Sequence, residues 1–149
     1  MIPARLEPLS RRVRVRFWGW SASLGPLLVL MGAALLSRGL SYVGRDGGPA
    51  NHPAEAFFPI AVWGAVWTVA GVWCMVAAAR PRSRRAAQPL GLGIGLQMIW
   101  GASFLASTVT GQMDRGWVTA TGYLVYGLTL TWILWHLAWS ARGVTRESV

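Results

Sequence analysis

Residues 79–89 read A-R-P-R-S-R-R-A-A-Q-P. Arg80, Arg82, Arg84 and Arg85 crowd into this stretch, which Pro81 and Pro89 punctuate, with a long apolar run on either side. A charged side chain is expensive in hydrocarbon, so these arginines belong in water or among lipid headgroups. The flanking runs are too long and too apolar to be soluble loops. The stretch is therefore a basic hinge between two lipid-length segments, and it orients what surrounds it.

Outward from the hinge, the second apolar run covers about residues 59–79 and the third about 90–110. The first covers about 21–40 and the fourth about 117–139. Each is close to the roughly 20 apolar residues that a helix needs to cross a bilayer. Pro26 and Pro59 stand near run starts, where a missing N–H does least harm. Residues 41–56 carry Gly47, Gly48, Pro49 and Pro53 and read as a loop. Residues 111–116 read as a tight turn. Arg38, near the end of the first run, can snorkel to water, with an ion-pathway role as the alternative.

Composition agrees. Charged residues are only 13% against 54% hydrophobic, which suits a single domain solvated mostly by lipid. The net charge of +9 does not point to nucleic acid, because the arginines cluster at the ends of apolar runs and no nucleic-acid motif is present. Every basic residue is Arg, a bias typical of GC-rich genomes such as those of actinobacteria. Cys74 is the only cysteine, so no internal disulfide or paired-thiol chemistry is available to it.

Charge placement gives a topology. Residues 1–20 carry +4, the hinge +4 and the tail from residue 140 +1. The loop from Arg38 to Glu55 sums to zero, and Asp114 cancels Arg115. The positive-inside rule then places both termini and the hinge in the cytoplasm. The expected fold is an all-α polytopic membrane protein of the inner or plasma membrane. It is a bundle of four transmembrane helices (residues 21–139) behind a basic interfacial segment (1–20) and before a cytoplasmic tail (140–149). Arg12 follows Arg11 as in a twin-arginine export signal, but Arg14 interrupts the apolar pattern. No convincing small-x-small cleavage site follows the first run, so it reads as a retained span.

Small residues suggest packing. Gly91, Gly95, Gly101 and Ser103 make the third run the helix against which others are expected to pack closely. Gln97 is expected to bond across to a neighbour. The hinge arginines, together with Trp18, Trp20, Trp117, Trp135 and Trp139, read as interfacial anchors. Trp67, Trp73, Trp100 and Trp132 are expected to lie deeper. They read as packing residues, with an aromatic-lined groove for a lipid or quinone-like ligand as the alternative.

Enzyme constellations are missing. His52 falls in an outer loop and His136 near the inner end of the fourth run, a bilayer apart, so they cannot form a dyad or share a metal. The acids Asp46, Glu55 and Asp114 are expected on the outer side and Glu7 and Glu147 on the inner side, so no carboxylate is expected within a span, which argues against ion-coupled transport. G-L-G-I-G (residues 91–95) lacks the lysine and strand of a phosphate loop. No catalytic, cofactor or metal site is expected.

The halves of the chain also resemble each other. M-G-A-A-L-L-S (31–37) matches W-G-A-S-F-L-A (100–106), and V-W-G-A-V-W-T (62–68) matches V-Y-G-L-T-L-T (125–131). Duplication would give two repeated hairpins in one bundle; chance similarity among Gly/Ala/Trp-rich helices is the alternative.

The pattern A-V-W-G-A-V-W-T-V-A-G-V, then W-G-A-S-F-L-A, then R-G-W-V-T-A, within about residues 57–139, resembles small tryptophan-rich four-span proteins of actinobacterial phages and their hosts. The resemblance implies a membrane protein, sometimes encoded near lysis genes, and assigns no functional residue. The expected partners are membrane lipids, with a homo-oligomer or a larger membrane complex. The leading functional expectation is a non-enzymatic, holin-like protein. The alternatives are a structural or regulatory subunit, including superinfection exclusion, and a lipid- or small-molecule-binding carrier.

Overall fold

A computed structural model of the chain describes residues 20, 23–45, 53–83 and 85–144. All regular structure among them is helical. Four α-helices follow in order: α1 (Gly25–Leu40), α2 (Ile60–Ala78), α3 (Ala87–Val109) and α4 (Gly116–Val144). A short 3₁₀ turn, Pro53–Phe57, precedes α2. Each apolar run of the sequence forms one helix. Three of them, α2, α3 and α4 up to Trp139, are long and apolar enough to cross a membrane. The chain is a small, multi-pass helical membrane protein.

The helix limits differ from the sequence reading at informative places. α1 has 16 residues, about 24 Å at the rise of an α-helix, which is short of the hydrocarbon thickness. It is apolar but is not by itself a full span. α3 starts at Ala87 and takes Pro89 into its first turn, where a proline is tolerated. α4 runs on to Val144, with no proline after Trp139 to interrupt it.

The chain divides into two compact units. The first comprises the residues up to Gly44 together with 61–93, so it holds α1, α2, the hinge and the first turns of α3. Its centre is an antiparallel hairpin with a glycine seam. A Cβ on Gly71 would lie 3.1 Å from the Gly32 carbonyl, and one on Gly64 only 3.1 Å from the Tyr42 Cβ. A Cβ on Gly39 would collide with the Thr68 hydroxyl and lie 3.2 Å from the Gly64 carbonyl. Gly32 thus faces Gly71, and Gly39 faces Gly64. The two glycines of each helix stand seven residues apart. That spacing keeps them on one seam over two turns, so the backbones approach each other twice.

Leu28, Met31, Leu35, Trp67, Ala70 and Cys74 fill the rest of this core. Met31 and Leu35 also reach Gly93 of α3. The Cys74 thiol donates to the Pro89 carbonyl at 3.4 Å, which satisfies a small buried donor.

The second unit comprises residues 45–60 and those from Ile94 onward, and it is built on the α3·α4 hairpin. Its glycines work differently. A Cβ on Gly101 would lie 2.8 Å from Leu124 Cγ, and one on Gly127 2.8 Å from the Met98 sulfur. Here each glycine seats a large side chain of the other helix instead of another backbone. Phe104 stacks on Tyr123, with centroids 5.9 Å apart.

The turn between α3 and α4 is closed by Gly111 in the left-handed region, φ +71°. Gln112 N–H donates to the Ser107 carbonyl at 2.9 Å, and Gly111 N–H to that of Thr108 at 3.1 Å. This pair of bonds is a Schellman cap, which only a residue tolerant of positive φ can complete.

The repeated segments share one detail. Thr68 and Thr131 each donate a hydroxyl hydrogen bond, at 2.8 Å, to the carbonyl four residues earlier, of Gly64 and Gly127. Pairing does not repeat, however. Gly32 meets Gly71, so an equivalent second hairpin would bring Gly101 against Leu134; instead Gly101 meets Leu124. The short turn after Val109 sets the second register, and the long loop after Leu40 sets the first. The sequence match is local and does not extend to equivalent hairpins.

Candidate functional site

The candidate packing residues separate into two groups. Gly101 is enclosed by Leu124 and Tyr123, and Ser103 is buried. By contrast, a Cβ on Gly91 or Gly95 would meet nothing within 4 Å. The close approaches of α3 are made by Gly93 and Gly101. Gly91, Gly95, Ala102 and Ala106 recur at helical spacing on the face turned away from buried Trp100 and Phe104. α3 thus has a packed face and an open face of small residues. The seam of the first hairpin (Gly32, Gly39, Gly64 and Gly71) was legible only as matched seven-residue spacings in two neighbouring segments.

The anchors also divide. Arg80, Arg82 and Arg85 are exposed on the hinge, and Trp117, Trp135 and Trp139 are exposed on α4. Trp135 and Trp139 lean on each other, with ring centroids 5.9 Å apart. Trp18 and Arg84 lie outside the described residues. Trp20 does more than face the interface. Its indole N–H donates to the Ala78 carbonyl at 2.9 Å, satisfying one of the carbonyls left open at the end of α2. Its ring fills the space above Gly25 at the start of α1. One tryptophan therefore ties the entry to α1 to the hinge end of α2.

The deeper aromatics are not one groove. Trp67 and Trp100 are fully buried, whereas Trp73 and Trp132 are exposed. His136 sits beside Trp132, centroids 5.6 Å apart, on the exposed part of α4. Arg38 places its guanidinium 5.4 Å from the centre of the Tyr42 ring, a cation–π contact at the end of α1. A cation there also complements the helix dipole.

Glu55 departs most from the sequence reading. It is only 4% exposed, not a solvated acid of an outer loop. The 3₁₀ turn that carries it is pinned to α3: Ala54 N–H donates to the Ser103 hydroxyl at 2.9 Å. Ser107, fully buried one turn further on, donates to the Ser103 carbonyl at 3.1 Å. Glu55, Gln97, Ser103 and Ser107 are the buried polar residues among those described. The Gln97 side-chain carbonyl, expected to bond across to a neighbour, has no hydrogen-bond partner. Sequence alone offered little signal for the Glu55 contact, because a proline-rich loop reads as solvent-exposed. Among the described residues, no three metal-ligating side chains come together.

With known protein families, curated proteins and solved structures the chain shares no match.

Proposed function

We propose that this protein works without an active site, by association with copies of itself in the bilayer, in the manner of a holin. The observation that carries this reading is the open face of α3. Gly91, Gly95, Ala102 and Ala106 line a helix whose other face is already packed, and close helix association in lipid is driven by such small-residue faces. The resemblance to tryptophan-rich phage membrane proteins supports the same reading. So does the exposed apolar length of α4, with Val125, Leu128, Trp132 and Leu137 on its surface.

Each hairpin is antiparallel, so the N-terminal basic segment, the hinge and the tail lie at the cytoplasmic end.

Controlled expression in a bacterial host tests the proposal. A holin-like protein accumulates silently and then abolishes the membrane potential abruptly at a defined time. Gly95→Leu is expected to delay or prevent that collapse while leaving the amount of folded protein unchanged. Harmless accumulation of the unmodified protein at normal growth rate rules the reading out.

A further inference from the structure

We propose that the hinge is a binding surface for the headgroups of anionic phospholipids, and this inference rests on the hinge lying at a membrane surface. Arg80, Arg82 and Arg85 are all exposed there, between two helices long enough to span a bilayer. The three exposed arginines make a positive patch at the hinge end of the first unit. Its natural complement is the phosphodiester layer into which α2 and α3 enter.

The surface is braced, not slack. Ser83 N–H donates to the Arg80 carbonyl at 3.0 Å, Ala86 N–H to that of Ser83 at 3.0 Å, and Gln88 N–H to that of Arg85 at 3.1 Å. Arg85 N–H also meets the Ser83 hydroxyl at 3.2 Å. These linked turns hold the described residues between Arg80 and α3. The Trp20–Ala78 and Cys74–Pro89 bonds tie down the two helix ends that flank the turn. A fixed backbone presents the guanidinium groups at low entropic cost, and guanidinium groups match phosphate oxygens in geometry.

The test uses the full chain reconstituted into vesicles of phosphatidylcholine and phosphatidylglycerol, followed by native mass spectrometry of the lipids it retains. The unmodified protein is expected to retain phosphatidylglycerol well above its share of the vesicle. Arg80→Gln/Arg85→Gln is expected to lower that enrichment about fivefold for each arginine removed, the effect of about 1 kcal/mol per basic residue at an anionic surface. Arg80→Lys/Arg85→Lys, which keeps the charge, is expected to retain most of it, and Arg115→Gln all of it. Inorganic phosphate at constant ionic strength is expected to leave the enrichment unchanged; displacement by it would mark a free-anion site and overturn the proposal. Equal retention of both lipids by the inserted protein would also overturn it. Failure to insert into either vesicle would instead refute the membrane reading on which it rests.

Discussion

Gly71→Leu is expected to remove about 3 kcal/mol from the stability of the first hairpin, the upper part of the usual range for overpacking. Of the three atoms nearest a Cβ at this position, two are backbone: the Leu36 nitrogen at 2.9 Å and the Gly32 carbonyl at 3.1 Å. Backbone atoms cannot rotate aside, so the helices must separate along the seam. Separation at Gly71 also loosens the Gly39–Gly64 approach two turns away, because both contacts share one register. The matched control is Gly95→Leu, which meets open space in the single chain and is expected to cost about 0.5 kcal/mol or less. Chemical denaturation in dilute detergent, followed by tryptophan fluorescence, measures both. Equal losses would contradict the seam.

Trp100→Ala is expected to cost about 3–5 kcal/mol, as for other fully buried tryptophans truncated to alanine. Trp132→Ala, 60% exposed on α4, is expected to change stability by about 0.5 kcal/mol or less. The same denaturation series decides. The comparison also separates packing from a ligand groove. A ring that stacks on a bound lipid can be removed with little loss of stability but with loss of the lipid. If Trp100→Ala keeps its stability and releases a co-purifying lipid, the deep tryptophans bind a ligand and the packing account fails.

The helices were legible because lipid-length apolar runs and arginine punctuation are one-dimensional signals. Arg80 to Arg85 marks a boundary that no tertiary contact can shift far. Packing was legible only in part. Gly91 and Gly95 have the local spacing of a packing motif, but spacing within one helix does not say which face meets a partner of the same chain. The contacts of α3 instead fall on Gly93 and Gly101, whose roles depend on Met31 and Leu124. The seam at Gly32, Gly39, Gly64 and Gly71 needs two helices read together in antiparallel register.

Glu55 was missed for a related reason. The turn that carries it is held to Ser103, far along the chain, by a hydrogen bond from Ala54, and no periodicity within residues 41–56 carries that information. The turn just before α2 is docked on the Ser103 hydroxyl of α3. Trp20 shows the same limit. Its place before the first apolar run suits an interfacial anchor, yet the bond to Ala78 makes it a cap for a helix distant in sequence.

Orientation is where the account is most exposed. In a Cys74→Ala background, single cysteines introduced as Ser83→Cys in the hinge and Gln112→Cys in the turn after α3 can be probed on intact cells with a membrane-impermeant maleimide. The account predicts rapid labelling at position 112 and none at position 83 until the membrane is permeabilised. Labelling of position 83 from outside, or of both positions alike, would contradict it.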